Sequence, residues 1–132
     1  MGSVNLIAVA VCGVVTVVLG GLWYSPVLFN KAWMRASCMT MDQAKGLKMP
    51  VALGVTLVVG LIAAYTFAMF LGPGVGAMRG AAYGLCAGLV WIAGWLGVNY
   101  MWARRSMTLF LIDGGHAAVL FTLYGAIIGA LQ

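Results

Sequence analysis

The chain has 132 residues, of which 64 % are hydrophobic and 7 % are charged, against roughly 25 % charged residues in an average soluble domain. A soluble domain of this size could not cover its core with so few charges, and disorder requires a far less hydrophobic chain. Three scattered cysteines do not indicate a secreted disulfide scaffold. The net charge of +5 is divided among short connections, which does not make the exposed basic face of a nucleic-acid-binding protein. The composition predicts an integral membrane protein.

Four stretches meet the requirement of about 20 apolar residues for a membrane-spanning helix. They cover residues 4–24, 51–71, 81–101 and 109–131. None shows the alternation of polar and apolar residues that strands of a membrane barrel require. The sequence therefore predicts a single all-α domain, a bundle of four transmembrane helices, with the lipid bilayer as its first partner.

The distribution of Lys and Arg predicts the orientation of the bundle. Six of the seven lie in the first and third connections, at positions Lys31, Arg35, Lys45, Lys48, Arg104 and Arg105. The second connection carries only Arg79. By the positive-inside rule the first and third connections face the cytoplasm and both termini lie outside. The first span has no basic residue before it, which favours a retained span over a cleaved signal peptide.

The connection between the first two spans, residues 25–50, is too hydrophobic for a flexible linker. Ser25 and Pro26 have the types of an N-cap and a first helical residue, so we expect an amphipathic helix that starts there and lies at the membrane surface. Thr40 and Gln43 have the spacing of a capping box, which predicts a second short helix before Pro50. The segment is either a plain anchor between spans or a surface for sensing the membrane or docking a partner.

Several of these residues resemble a bacterial family of small four-span membrane proteins, domain of unknown function seventeen sixty-one. The resemblance lies in the string Gly20-Gly21-Leu22-Trp23-Tyr24-Ser25-Pro26, in Phe29 and Lys31-Ala32-Trp33-Met34, and in Asn99-Tyr100 with Arg104-Arg105-Ser106. It implies four spans in a bacterial inner membrane. It implies no activity and no catalytic residue.

The fourth span carries Asp113 and His116, one helical turn apart. Ionisable residues inside a span are costly to insert and therefore mark candidate functional sites. Residues at similar depth complete a predicted polar and aromatic cluster: Trp23, Tyr24, Asn99, Tyr100, Arg104 and Arg105. The cluster is either a site for a proton, ion or small solute, or a structural knot in which Asp113 pairs with an arginine and His116 donates to a backbone carbonyl.

Catalysis and cofactor binding have little support in the sequence. It contains no Glu, and no Ser or Cys has an evident spacing to His116 for nucleophilic chemistry. The lone His could be an axial ligand to a haem or chlorophyll-type pigment, but no second His exists for a bis-His site. We expect no enzyme, no cofactor and no metal site. The cysteines Cys12, Cys38 and Cys86 are expected to be free thiols, with Cys12 and Cys86 as small packing residues.

Small residues at four-residue spacing form three ladders that predict close helix packing. The ladders are Gly80, Gly84 and Gly88; Gly60, Ala64, Ala68 and Gly72; and Gly125 with Gly129. Some of these ladders must pack inside a four-helix subunit, and because three are more than one small bundle obviously requires, the alternative is that at least one faces another subunit. Trp91 and Trp95 lie deeper than an aromatic belt, as if to fill the core or meet a partner. Trp95, Asn99 and Trp102 share a stripe.

These features favour a non-enzymatic membrane protein that forms a homo-oligomer or serves as an accessory subunit of a larger membrane complex. The alternative is a small oligomeric transporter or channel for protons, ions or a small solute, built around Asp113 and His116. Small multidrug exporters have the same size and span count, but they need a Glu in the first span. Here that span offers only Asn5, Cys12 and Thr16 as polar side chains.

Overall fold

A computed structural model of the protein describes residues 3–132. Within this range four helices are long and apolar enough to cross a membrane, and no strand is present. The predicted all-α bundle of four spans is confirmed. In chain order the elements are α1 (Leu6–Trp23), α2 (Asn30–Ala36), α3 (Met41–Lys45), α4 (Met49–Leu71), α5 (Ala77–Cys86), a π-helical segment (Ala87–Ala93), α6 (Gly94–Trp102) and α7 (Met107–Leu131).

The third span is a continuous helix formed by α5, the π-helical segment and α6, Ala77–Trp102. It begins four residues before the predicted start at Ala81. The first and third connections lie at the same end of the bundle because successive spans alternate in direction. We call this end the basic end, since its connections hold six of the seven Lys and Arg residues. The other end, with the chain termini, is called the terminal end.

Polar caps and glycines set the helix boundaries. The Asn5 side chain accepts hydrogen bonds from the backbone N–H groups of Ile7 and Ala8, at 3.0 and 3.2 Å, and starts α1. Ser106 starts α7 in the same way by accepting from Leu109 at 3.1 Å. Gly72 has a φ of 73° and ends α4, in the left-handed region that a side chain disfavours.

The connection between the first two spans is helical, as expected, but its first helix starts later than predicted. Thr40 and Gln43 form the predicted capping box at the start of α3, and Pro50 lies in the first turn of α4. Ser25 does not cap a helix at Pro26. Its hydroxyl instead donates to the carbonyl of Leu22 at 2.7 Å, which keeps residues 24–29 in turns and delays α2 to Asn30.

The fourth span is the centre of the bundle. Ten residues of α7 are buried, against five of α1 and four of α4. Tyr124 and Ile128 of α7 are completely buried, and so are Cys12 of α1 and Ala64 of α4. The fourth span thus contacts each of the other three spans.

All three small-residue ladders contact other helices of the same subunit, so of the two alternatives the structure supports internal packing. A side chain on Gly80 or Gly84 would overlap backbone carbonyls of α7. On α4, Gly60 packs against Thr16 of α1, while Ala64 and Ala68 are fully buried. The physical reason is that the third and fourth spans approach almost backbone to backbone, and each needs its own row of small residues to do so.

The π-helical segment changes which residues of the third span face the bundle. A π turn holds one residue more than an α turn and so rotates the rest of the helix relative to a regular pattern. Before it Gly80 and Gly84 face α7, and so does Gly88 near its start. The inward positions are then Ala93 at its end, which is buried, and Gly97 beyond it, where an added Cβ would lie 2.9 Å from the Phe110 ring of α7.

The three cysteines are free thiols, as predicted. Cys12 is a packing residue in the core, but Cys86 is exposed on the surface of the third span. Its predicted packing role is therefore wrong. Cys86 lies on the face of α5 opposite the glycines that contact α7, which leaves its thiol outside the bundle.

Candidate functional site

Asp113 lies where three spans meet near the basic end. Its carboxylate accepts a hydrogen bond from the Tyr24 hydroxyl at 2.7 Å and another from the Tyr100 hydroxyl at 2.5 Å. Tyr24 follows the end of α1, and Tyr100 lies in the last turns of the third span. A carboxylate with two hydroxyl donors makes charge-assisted hydrogen bonds, which are among the stronger ones. Asp113 thereby joins the first, third and fourth spans.

The predicted pairing of Asp113 with an arginine is not what the structure shows. Both carboxylate oxygens are bound by tyrosine, and the Arg105 guanidinium donates to the carbonyl of Ser37 at 3.5 Å instead. Arg104 has a φ of 55° in the turn before α7. Both arginines lie beyond the helix ends and are exposed, so their charges are solvated without a partner from inside the bundle.

His116 lies one turn deeper than Asp113, against aromatic rings of the first span. Its ring centroid is 5.4 Å from that of Tyr24 and 6.0 Å from that of Trp23. Its Nε2 atom is buried, and within residues 3–132 it has no hydrogen-bond partner. The predicted donation by His116 to a backbone carbonyl is therefore not made through this nitrogen. Gly20 leaves space beside this nitrogen, since even an added Cβ would lie 4.0 Å from it.

The Trp23-Tyr24 pair connects this site to the surface helix α2. The Trp23 indole N–H donates to the carbonyl of Ile112 at 2.9 Å, and its ring packs on Phe29 at 4.9 Å. Asn30, the first residue of α2, donates to the carbonyl of Tyr24 at 3.0 Å. Trp33 packs edge-on against the Tyr24 ring at 5.8 Å. The string around Trp23 thus fixes α2 and the carboxylate cluster in one arrangement.

Asn99 does not belong to this cluster, although its position near Tyr100 suggested so. It is exposed on the outer side of the third span, while Tyr100 turns inward to Asp113. The rotation imposed by the π-helical segment determines that Tyr100 faces the bundle and Asn99 faces outward. A regular helix read onward from Gly84 and Gly88 would instead have placed the stripe of Trp91, Trp95 and Asn99 toward the bundle.

A second polar group, which the sequence analysis missed, lies near the middle of the bundle. The Tyr124 hydroxyl of α7 donates to the Thr16 hydroxyl of α1, and its oxygen lies 3.2 Å from the carbonyl oxygen of Gly60 on α4. Thr16 also donates to the Cys12 carbonyl at 2.8 Å. The sequence feature that could have indicated this group is a pair of hydroxyl side chains at mid-span, because such side chains hydrogen-bond between helices where no water is present.

A third polar group closes the bundle at the terminal end. The Gln132 side chain donates to the carbonyls of Ala68 and Gly72 at 2.9 and 3.1 Å, and it accepts from the Asn5 backbone at 3.0 Å. The Asn5 side chain donates to the Leu131 carbonyl at 2.8 Å. These bonds connect the first, second and fourth spans.

The polar groups form separate layers rather than one continuous path. His116 and Tyr124 are eight residues apart on α7, a rise of about 12 Å, and the buried Leu120 lies between them. Ile128 is completely buried between Tyr124 and the terminal layer. Each layer therefore acts as a structural clasp between helices, and among residues 3–132 the buried side-chain polar atom without a hydrogen-bond partner is Nε2 of His116, beside the Asp113 layer.

The outer side of the third span is aromatic and largely exposed, and Trp91 at its inner end packs edge-on against Phe70 of the second span at 5.8 Å. Trp91, Trp95 and Trp102 are 61 %, 67 % and 81 % exposed, so the idea that Trp91 and Trp95 fill the bundle core is wrong. Val98 and Asn99 are exposed between them. We call these five residues the outer face of the third span. It shares no residue with the glycine face that packs on α7.

These features define a class of protein: a four-span membrane bundle joined by hydrogen-bonded layers, with a tyrosine-bound carboxylate near its basic end. The part of the chain that the structure describes contains no group of three or more His, Cys, Asp or Glu residues placed to hold a metal ion. The family model described as a protein of unknown function, DUF1761, matches residues 7–129, and the chain belongs to this family. No match to a curated protein or to a solved structure was found.

Proposed function

We propose that the protein is a non-enzymatic integral membrane protein that assembles as a homo-oligomer through the outer face of its third span. The observation that carries this proposal is the row of exposed tryptophans on that face. The alternative role as an accessory subunit of a larger complex would use the same face toward a different chain. Because the sequence has no Glu and Asp113 is bound by two tyrosines, its composition and geometry favour assembly over catalysis.

The depth of the tryptophans favours a protein partner over lipid. Tryptophan prefers the membrane interface, where its ring is apolar and its N–H reaches water. Trp91 lies eleven residues before Trp102, which is about 16 Å deeper along a helix. Hydrocarbon offers its indole N–H no acceptor. Contact with a second protein surface supplies both ring packing and acceptors.

The chemistry of the face favours a second copy of the same chain. Its five residues carry no charge, so two identical faces can meet without repulsion. In a two-fold dimer the same patch contacts itself, and the exposed Asn99 amide, with donors and an acceptor, can then hydrogen-bond to its counterpart. The small-residue ladders already pack inside the subunit, so association would use another surface, and this face presents three exposed tryptophans on one span.

Replacement of Trp95 by leucine should dissociate the oligomer while leaving the subunit folded. The exposed ring makes no core contact, so its loss removes packing area only between subunits. Native mass spectrometry after gentle detergent extraction measures the subunit number directly. Tyr65→Leu is the matched control, because Tyr65 is an exposed aromatic of the second span. A wild-type protein that is monomeric, or a Trp95→Leu variant with unchanged subunit number, contradicts the proposal.

We propose further that the protein lies in a bacterial inner membrane with both termini outside the cytoplasm. The six-to-one division of Lys and Arg between the two ends supports this orientation. Cytoplasmic reporters fused after Arg35 or after Arg105 are expected to be active, and one fused after Gly76 is expected to be silent. The reverse pattern would refute the orientation.

The second candidate is a small transporter or channel that uses Asp113 and His116. The unpartnered Nε2 of His116, buried beside Tyr24, favours it, since such an atom can bind a proton or a small ligand. The separation of about 12 Å between His116 and the mid-span hydroxyls weighs against it, because a lone subunit then lacks a continuous polar route. A transporter or channel of this kind would act as an oligomer that encloses the site.

A further inference from the structure

An apolar groove lies between the surface helix α2 and the first turns of α7. It has a volume of about 290 Å³ and is lined by Trp23, Phe29, Ala32, Thr108, Leu111 and Ile112. This volume is just below the usual range of ligand pockets, roughly 300–1,000 Å³. Five of the six side chains are aliphatic or aromatic, and the Trp23 indole N–H already donates to the Ile112 carbonyl. The groove therefore suits a hydrocarbon chain.

Both walls of the groove continue into cationic side chains. On α2, Lys31 and Arg35 are exposed and lie one residue before and three residues after the groove-lining Ala32. On the other wall Arg105 precedes α7, and its guanidinium donates to the Ser37 carbonyl just after α2. This long, exposed contact places the Arg105 guanidinium beside the C-terminal end of α2. The first and third connections together hold six cations and one acid, Asp42.

We infer that this groove binds one anionic phospholipid, with an acyl chain between α2 and α7 and the phosphate against Lys31, Arg35 and Arg105. Charge complementarity selects an anionic headgroup, because basic pockets at the membrane surface attract acidic lipids. The apolar lining selects a lipid over free phosphate, since an ion alone leaves the groove empty. The bound lipid fills a gap that α2 and α7 do not close and holds α2 against the bundle.

The test compares phosphatidylglycerol with zwitterionic phosphatidylcholine. The protein is reconstituted in vesicles of both lipids in equal amounts, extracted gently, and the retained lipid is counted by native mass spectrometry. We expect wild type to retain phosphatidylglycerol in preference to phosphatidylcholine. Removal of both charges in Lys31→Gln/Arg35→Gln should lower its affinity by about fivefold per cation. Both side chains are exposed, so the fold is retained.

Two further variants separate a seated lipid from general attraction to charge. Leu111→Trp adds bulk in the groove at an exposed position and keeps every cation, so it should also reduce the retained phosphatidylglycerol. Arg79→Gln removes one cation at the terminal end and should leave retention unchanged. The inference is overturned if wild type retains the two lipids equally. It is also overturned if Leu111→Trp or the double variant retains as much phosphatidylglycerol as wild type, or if Arg79→Gln loses as much as the double variant.

Discussion

Gly84→Ile is expected to prevent the third and fourth spans from packing and so to unfold the bundle. A Cβ on Gly84 would overlap the Phe121 carbonyl and would lie 2.7 Å from its carbon and 3.1 Å from the Cα of Thr122. These are backbone atoms, which cannot turn aside as the end of a side chain can. We expect a loss at or beyond the upper end of the usual overpacking cost, about 1–3 kcal/mol.

A denaturant titration of the detergent-solubilised protein, followed by near-ultraviolet circular dichroism, measures this loss. Gly54→Ile is the matched control, because Gly54 lies in a membrane-spanning helix and an added Cβ there meets nothing within 4 Å. The control isolates the packing effect from the helix propensity of isoleucine. If both variants unfold at the wild-type denaturant concentration, close approach at Gly84 is not required for stability.

Asp113→Ala is the second change with a large expected effect. It leaves the hydroxyls of Tyr24 and Tyr100 without their acceptor, and each unsatisfied buried donor costs about 1–3 kcal/mol. The site is half-buried, so we expect about 2 kcal/mol for the pair. Asp113→Asn keeps one carbonyl acceptor and should cost about 1 kcal/mol. If Asp113 holds the spans together through the two tyrosines, the free energy of unfolding should rise from Asp113→Ala through Asp113→Asn to wild type.

The same variants separate assembly from transport. In vesicles with an imposed pH gradient we expect no proton flux through the wild-type protein. A transporter that couples through Asp113 would give a flux that Asp113→Asn abolishes while the fold persists, because an amide cannot exchange a proton in the cycle. His116→Gln is the companion, since a relay through both residues fails with either. Such a flux would replace the first proposed function with the second.

The elements that could be predicted from the sequence are those set by local chemistry. Span length follows from apolar content, and the capping box of Thr40 and Gln43 is formed by residues three apart, so both were visible in the chain. The position of Asp113 and His116 on one helix face was visible for the same reason. The start of α2 could not be predicted in this way, because the Ser25 hydroxyl donates to the Leu22 carbonyl instead of capping a helix N-terminus.

What could not be predicted depends on how helices rotate and which partner they meet. A π-helical turn between Ala87 and Ala93 leaves no mark in the apolar pattern, yet it turns Tyr100 inward and Asn99 outward. Spacing identified Gly84 as a packing residue but not its partner on α7. The hydroxyl pair of Thr16 and Tyr124 required knowing that the first and fourth spans are neighbours.

The measurement that tests the central claim most directly is the distance between two copies of the third span. A single spin label at Val98, in a variant with its three native cysteines replaced, reports this distance by double electron–electron resonance in lipid nanodiscs. Two packed helices lie about 8–10 Å apart, so we expect a short and narrow distance distribution. The same label at Leu53, exposed on the second span, should give a longer one. An absent dipolar signal at Val98, or a shorter distance from Leu53, would contradict association through the outer face of the third span.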